Sequence, residues 1–401
     1  MSEIPILILV LLLVAVLLRL DIIFYLVYVV VGIYAFSRWW TGRGLRSVHV
    51  KRVFAEHAFL GERITVQLTL GNTAVLPIPW LHINEAVPLG LHTPGFVRRV
   101  TSLGPREHKR ITYDLDCRRR GYYPIGPLEA GSGDLFGFAE SQRSAAGVDY
   151  LTVYPEIIPL THLGLPSKSP FGTISSQQRI FEDPARVSGV RDYRAGDSLR
   201  RVHWKASARQ GSLLVKKYQP AISLQTVILL NLNRSEYSTR RSFDAAERAV
   251  VVAASIANHL VNQRQAVGLV TNGCQMMASG GADDGGKSTP TPLPPRPGRL
   301  HLMKVLEVLA RVQSEETGPS PAWIQQASLP VSWGDTLVAI TPVGDEPTCQ
   351  ALHQLCRRGL NVVLVVVEPH GPFGPVRERA RRLGFRAFEV SRREDMNLWR
   401  R

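Results

Sequence analysis

LQTVILLNL, residues Leu224–Leu232, is an apolar run of strand length, and SFDAAERAVVVAASIANHLVNQ, Ser242–Gln263, follows it with apolar residues at helical spacing. The alternation then repeats. AVGLVTN (Ala266–Asn272) reads as a strand and LHLMKVLEVLARVQ (Leu300–Gln313) as a helix. DTLVAIT (Asp335–Thr341) is a strand, EPTCQALHQLCRRG (Glu346–Gly359) a helix and NVVLVVVE (Asn361–Glu368) a strand. GPVRERARRLG (Gly374–Gly384) is the last helix, and FRAFEV (Phe385–Val390) an edge strand. Strands that alternate with helices predict a doubly wound α/β domain over residues 221–391, with helices on both faces of its sheet.

The N-terminal end has another solvent in view. Ile4–Leu18 and Ile22–Ser37 carry no charge, and Arg19 and Asp21 interrupt them. Each half is slightly short of the roughly 20 residues that cross a bilayer, but Arg19 can snorkel and Trp39 and Trp40 suit an interface. We expect a transmembrane helical hairpin over residues 1–40, with a single long tilted helix as the competing form. A cleaved signal peptide is not expected, because no cationic start or small-residue cleavage site precedes Arg19. Arg38, Arg43, Arg46, Lys51 and Arg52 follow the second half, so the positive-inside rule puts the bulk of the chain in the cytoplasm at the cell membrane.

Residues 48–155 alternate with period two. RITVQLTLGN puts Ile64, Val66, Leu68 and Leu70 on one face before a turn at Gly71–Asn72. Val48 and Val50, Trp80–Ile83, Arg110–Leu115 and Leu151–Tyr154 are further strand candidates. The expectation is a β-sandwich-like antiparallel module. Asp134-Leu135-Phe136-Gly137 is either a recognition loop or a capped turn whose aromatic residues fill a core. Four scattered cysteines, without CxxC spacing, give no zinc or disulfide framework.

Of the net charge of +15 over 401 residues, +7 falls between Arg186 and Lys217, where nine Lys/Arg meet Asp192 and Asp197. This segment lies in a connector, residues 156–220. It reads RDYRAGDSLRRVHWKASARQGSLLVKKY from Arg191. Ala195-Gly196-Asp197 suggests a turn, Leu199–Ala208 a short helix and Leu213–Val215 the start of a strand. Three roles are open. Arg191, Arg200, Arg201, Lys205 and Arg209 could grip an acidic partner or a phosphate. Asp197 could pair with Arg200 or Arg209 to lock the turn, with Tyr193 and Trp204 buried. The charge could serve nucleic acid, although no helix-turn-helix or other recognised module is present.

The order Arg191, Tyr193, Gly196, Asp197, Arg200, Trp204, Ala208, Arg209, Leu213, Lys216 resembles the signature of the domain of unknown function 58 family. Arg119-Arg120-Gly121 and the Asp134–Gly137 stretch are similar to its upstream motif. The resemblance implies a membrane-anchored protein ending in a von Willebrand factor A-like domain. It also implies a MoxR-type AAA+ ATPase as partner. It implies no known reaction.

Domains of that type often hold Mg²⁺ at a D-x-S-x-S turn after the first strand. Here the turn reads Asn231-Leu232-Asn233-Arg234-Ser235. Asn231, Asn233, Ser235 and Asp345 are the weak candidate ligands, with Thr341 a further oxygen, but the lost carboxylate and Arg234 oppose a hard cation. GADDGGKST, Gly281–Thr289, fits the phosphate-loop pattern, yet Asp283 and Asp284 repel an anion and a proline-rich run replaces the required helix. We therefore expect a flexible Gly/Pro loop there and no ATP site or other cofactor. No histidine joins a nucleophile signature. The sequence thus points to a non-enzymatic membrane-anchored scaffold that docks a partner ATPase. The alternatives are an anion- or nucleotide-binding hydrolase and a nucleic-acid-binding protein. Residues 392–401 read as an exposed charged tail.

Overall fold

The computed structural model describes residues 3–401 apart from residues 19–20, 93–94, 134–139, 161–181, 195–196, 221–224, 238–241, 277–286, 330, 370, 393–394 and 396–401. The stretch Asp134–Gly137, Gly196 and most of the charged tail lie outside the described residues. The chain divides into two units. The first comprises residues 1–156 with Leu306–Val312, and the second comprises residues 157–305 with 313–401.

The first unit begins with α1 (Glu3–Leu18) and α2 (Asp21–Arg46). Asp21–Arg46 is long and apolar enough to cross a membrane, and little of it is buried by protein. Its last turn differs: Gly44 and Leu45 are buried, and Leu45 joins the core of the strands that follow. Arg143 donates to the carbonyl oxygens of Leu45 and Arg46, supplying a cation to the negative end of the helix.

Ten strands follow: β1 (Val48–Val53), β2 (His57–Phe59), β3 (Arg63–Asn72), β4 (Ile78–Ala86), β5 (Phe96–Leu103), β6 (His108–Asp116), β7 (Gly121–Ile125), β8 (Leu128–Gly133), β9 (Glu140–Ala146) and β10 (Asp149–Tyr154). They pair as β1-β3-β6, β2-β10-β7 and β5-β4-β8-β9, antiparallel except for β2 with β10. The period-two reading holds along β3: Ile64, Val66, Leu68 and Leu70 are buried while Thr65 and Gln67 are exposed. Side chains from all three sheets share one apolar core. At the turn after β3, buried Asn72 donates to the carbonyls of Leu76 and Gly104 and accepts from Ser47 and the Ala74 amide, leaving no unmet polar group on its amide.

One ion pair crosses this unit's interior. The guanidinium of Arg52 meets the Glu85 carboxylate, with side-chain exposures of 1% and 0%, and also reaches Asp149 and the Gly147 carbonyl. Gly126 (φ +100°) passes so close that an added Cβ would lie 2.8 Å from Arg52 Nη2 and from the Gly147 oxygen. Arg120 donates to the carbonyls of Leu309 (2.6 Å) and Val312 (2.7 Å), and the Arg311 guanidinium stacks 4.3 Å from the Tyr122 ring.

The second unit contains β11 (Glu182–Asp192), α3 (Trp204–Gln210), β12 (Leu214–Pro220), β13 (Gln225–Leu230), α4 (Ser242–Asn262), β14 (Ala266–Thr271), β15 (Cys274–Met276), β16 (Lys287–Ser288) and β17 (Leu293–Arg296). Next come α5 (Arg299–Arg311) and β18 (Val312–Gln313), which run across the division between the units. The remainder is α6 (Ser320–Ala327), β19 (Thr336–Thr341), α7 (Glu346–Arg357), β20 (Asn361–Val367), α8 (Phe373–Arg382) and β21 (Arg386–Val390). Six strands form one sheet in the order β17-β14-β13-β19-β20-β21, and only β17 runs antiparallel to its neighbour. Val227, Leu229, Leu337, Ala339, Leu364 and Val366 pack with Ile324 of α6, Leu352 of α7 and Ala380 of α8. The alternate residues Ile228, Leu230, Val338, Ile340, Val363 and Val365 are buried as well, and α4 lies against the same strands. Burial on both faces explains why these strands read as unbroken apolar runs.

The strand order reverses between β13 and β19. The chain moves outward from β13 to β14 and β17, then returns to place β19 on the other side of β13. A crevice opens outside the carboxyl ends of strands at such a point.

The buried pair in the first unit gives a direct test. Arg52→Ala leaves the buried Glu85 carboxylate uncompensated and is expected to cost about 3–5 kcal/mol, Glu85→Ala costs less because Arg52 keeps Asp149, and Arg52→Met with Glu85→Leu recovers most of the Arg52→Ala loss. Calorimetry of the detergent-solubilised chain reads this as a lowered first-unit transition. Single variants that melt like the wild type would show that the pair holds nothing.

Candidate functional site

β11 and β12 form an antiparallel ribbon in which Arg191 faces Val215 and Asp192 faces Leu214. The signature fills the excursion between them. Asp197 organises its first half. The Arg191 guanidinium donates to both carboxylate oxygens at 2.7 Å, and the Arg194 amide donates to one of them at 2.9 Å. The Asp197 amide in turn donates to the Arg194 carbonyl, closing the turn. The hydrogen bonds from Arg191, then the one from the Arg194 amide, hold the Asp197 carboxyl down to about 2. The locking role expected of Asp197 is present, but the partner is Arg191 and not Arg200 or Arg209. The ribbon aims Arg191 back at the turn, which sequence distance alone does not reveal. The Arg200 side chain lies outside the described residues.

The second half is not one continuous helix over Leu199–Ala208. A 3-10 turn spans Leu199–Arg201, Val202 is extended, and α3 begins at Trp204. Val202 breaks the helix because it is buried and bridges to Val215 of the ribbon. His203 caps α3, its Nδ1 accepting from the Ala206 amide at 3.1 Å. Gly211 (φ +70°) ends it in the left-handed region and donates to the Ser207 carbonyl. Ser207, the buried residue of the helix, accepts from the Leu214 amide at 2.9 Å. A helix this short has little stability of its own, so these caps and the Ser207 bond define it.

Trp204 corrects the expectation of burial: it is 65% exposed. The inward positions belong to Val202 and Ser207, and Ser207 draws the helix onto the ribbon by hydrogen bonding instead of apolar contact. Tyr193 is half-buried, its amide donating to the Leu213 carbonyl. Arg201, Lys205 and Arg209 are exposed, and Lys216 is half-buried opposite Val190. His203, Lys205, Ala206, Arg209 and Gln210 line an open cleft of about 430 Å³.

A second polar constellation occupies the crevice at the strand-order reversal. The Asn231 amide nitrogen lies 2.6 Å from Glu236, 2.7 Å from Ser320 and 3.2 Å from Thr341 and shares its two hydrogens among them, and its oxygen accepts from Asn272 at 2.8 Å. Asn233 donates to the other Glu236 oxygen, and its own oxygen accepts from the Thr317 amide and from Ser235. Glu236 also receives the Ser320 amide, at the start of α6, and the Ser320 hydroxyl. Tyr237 donates to the Asn231 carbonyl at 2.6 Å, and burial raises its pKa. Asn231, Asn233 and Ser235 therefore meet as the turn predicts. Asp345 serves instead as the N-cap of α7, accepting from the Thr348 amide.

This donor set does not fit Mg²⁺. A hard cation needs free oxygens with at least one or two carboxylates. Both Glu236 oxygens here face N–H or O–H donors, and the Asn231 amide presents hydrogens to its neighbours. Among the described residues, no group of three His, Cys, Asp or Glu side chains could hold an ion. Glu236, Ser320, Asn272 and Thr317 were not singled out from sequence, because three of them come from other loops. Glu236 alone was near enough to notice, one residue beyond the degenerate motif.

The remaining candidates are structural. His259 bonds the Leu160 carbonyl, His301 that of Val267 and His353 that of Leu383. Lys287–Ser288, expected in a flexible loop, pairs as β16 with β15, and Leu293–Arg296 pairs with β14. The helix that a phosphate loop needs directly after Ser288 is absent there, and α5 starts only at Arg299.

Two outcomes follow from this geometry. Asp197 has a folded pKa below its unfolded value, so its contribution is complete above pH about 4 and fades as pH falls toward its folded value. Asp197→Asn is expected to speed hydrogen exchange at the Arg194 amide by about tenfold at neutral pH; unchanged exchange would mean the turn holds without it. Asn231→Ala or Glu236→Gln is expected to destabilise the second unit by about 1–3 kcal/mol by orphaning buried partners. The melting temperature should not respond to Mg²⁺ or chelator in either form, and a Mg²⁺-dependent rise in the wild type would overturn the reading of the crevice.

Residues 189–363 match the model of a family described as "Protein of unknown function DUF58". The matched region holds α3, the cleft and the crevice. Among curated proteins the chain is similar to the "Uncharacterized protein YeaD" of Bacillus subtilis (strain 168), 24% identical over 217 residues, 53% of this chain and 52% of that protein. The chain thus spans about half the length of the curated relative it matches. Solved structures share little with it. The CARDB domain of a Pyrococcus furiosus protein is 15% identical with a TM-score of 0.21, covering 26% of this chain and 86% of its own. A Pseudomonas fluorescens alkylpurine DNA glycosylase is 17% identical with a TM-score of 0.19, covering 27% of this chain and 30% of its own. Scores this low carry no argument about the fold or the function.

Proposed function

We propose that the chain is a non-enzymatic scaffold, anchored in the cell membrane, that docks a partner protein through the signature excursion. The observation that carries this reading is the division of labour within the signature. Its acid, Asp197, is occupied in a turn, while Trp204, Lys205 and Arg209 are displayed on α3. Arginine and tryptophan are the residues most often found to dominate binding at interfaces. The Ser320 hydroxyl meets the Glu236 carboxylate, but Ser320 is 1% exposed and three N–H donors also hold that carboxylate, which favours a structural pair over a hydrolase centre.

The anchor rests on α2, with α1 as the other arm of a helical hairpin. Arg38, Arg43, Arg46 and Lys51 favour a cytoplasmic bulk. Arg52, counted with them from sequence, is folded into the first unit's core. The C-terminal sheet, parallel with an antiparallel edge strand and a ligand-type crevice at the order reversal, supports a von Willebrand factor A-like domain whose ion site has been replaced by hydrogen bonds. The resemblance of the signature points to a MoxR-type AAA+ ATPase as the docked partner, so any ATP would be held by that partner.

Affinity purification of the full-length chain from native membranes, with mass spectrometry of what accompanies it, tests this. An AAA+ ATPase is expected in the eluate of the wild type. If no such protein accompanies the chain under any nucleotide condition, the docking reading fails. If the intact chain fractionates without membranes, the anchor fails.

A further inference from the structure

α3 offers more than a charged surface. Three of the residues that line its cleft carry donor head groups: Lys205, Arg209 and Gln210. His203 adds a fourth. Its Nδ1 accepts the Ala206 amide proton, so in the neutral ring the proton sits on Nε2, and the ring contributes a donor. No carboxylate is among the described residues lining the cleft. The nearest acid in sequence, Asp197, is already clamped by Arg191. A concave site lined by donors, with its neighbouring acid neutralised, selects an anion.

Exposed apolar residues of the same signature narrow the choice. Trp204 is 65% exposed and Leu199 61% exposed, with Leu213 and Val190 also uncovered. A free small anion would leave that apolar area in water. A bilayer would cover it, but a bilayer presents a broad face and does not fill a cleft. The combination suits a chain segment that carries both carboxylates and an apolar side chain.

Resting on the docking reading above, we propose that the cleft receives an acidic segment of the partner protein, with carboxylates on His203, Lys205, Arg209 and Gln210 and an apolar side chain covering Trp204 and Leu199. Charge-assisted hydrogen bonds from Arg209 and Lys205 would fix the acid. The flat indole would supply apolar contact at low entropic cost. The sequence of this segment is not specified by the geometry; its chemistry is.

The test uses the full chain in detergent micelles and a fluorescein-labelled peptide of alternating aspartate and leucine. Controls are a peptide with asparagine for aspartate, inorganic phosphate as competitor, and vesicles of phosphatidylglycerol. Anisotropy is expected to show binding of the acidic peptide, weakened about tenfold or more by Lys205→Glu with Arg209→Glu and by asparagine for aspartate. Trp204→Ser should weaken it without changing net charge. Arg381→Glu with Arg382→Glu on α8 makes the same charge change elsewhere and should leave affinity within about threefold. Equal loss from both charge-reversal pairs would reduce the effect to net charge and overturn the proposal. So would displacement by millimolar phosphate alone, or vesicle binding with the same variant dependence and no peptide binding. Circular dichroism of each variant checks that the second unit remains folded; a variant that unfolds is replaced by the charge-neutral pair Lys205→Gln with Arg209→Gln. The two readings separate cleanly. A partner that still co-purifies with a folded cleft variant leaves docking intact and removes the cleft from it.

Discussion

A half-buried carboxylate with little access to water must be surrounded by donors, and the crevice of the second unit is arranged around one. Glu236 accepts hydrogen bonds from Asn231, Asn233 and both polar groups of Ser320. Those contacts connect the end of β13, the turn that follows it and the first residue of α6. Asn272 and Thr341 bring in the ends of two neighbouring strands. The carboxyl ends of an open parallel sheet are where exposed backbone and polar side chains gather, so some solution is required there. In this chain the solution is internal. The crevice is closed by its own side chains, whereas the excursion on the ribbon exposes Trp204, Lys205 and Arg209.

The secondary structure was legible where burial is simple. Alternation in Arg63–Asn72 and the unbroken apolar runs Val227–Leu230 and Val362–Val367 can each be buried in essentially one way, so periodicity named them correctly. The helix Ser242–Asn262 was legible for the same reason. Polar roles were less so. A lock at Asp197 was one of the readings the sequence left open, but its partner depends on the ribbon register that turns Arg191 toward it. Trp204 was misread because a large apolar side chain beside a valine resembles a core pair, and the serine that holds the helix gives no hydrophobic signal. Asn231 and Asn233 were noticed as a damaged ion site, whereas the residues that repair it sit in Asn272, Thr317 and Ser320, beyond the reach of local spacing.

The first unit carries a related lesson about charge. Arg52 reads in sequence as one of a string of cations following a membrane helix, yet its guanidinium lies inside the unit against Glu85. Net charge counts both kinds of cation alike. Structure separates those available to an outside partner from those already matched within, and it is the former that set what the chain attracts.

The antiparallel edge strand Leu293–Arg296 has a consequence of its own. Its sequence is Leu-Pro-Pro-Arg, and it lies at one end of the sheet, close enough to β14 that a Cβ on Gly268 would meet the Leu293 oxygen at 2.8 Å. Successive amides of a strand point to opposite sides, so one of the two prolines takes a hydrogen from the outer margin and the other from the side facing β14. A further strand approaching there meets a gap in the ladder. That margin of the sheet is therefore blunted by covalent chemistry, which discourages neighbouring copies from zipping together edge to edge there.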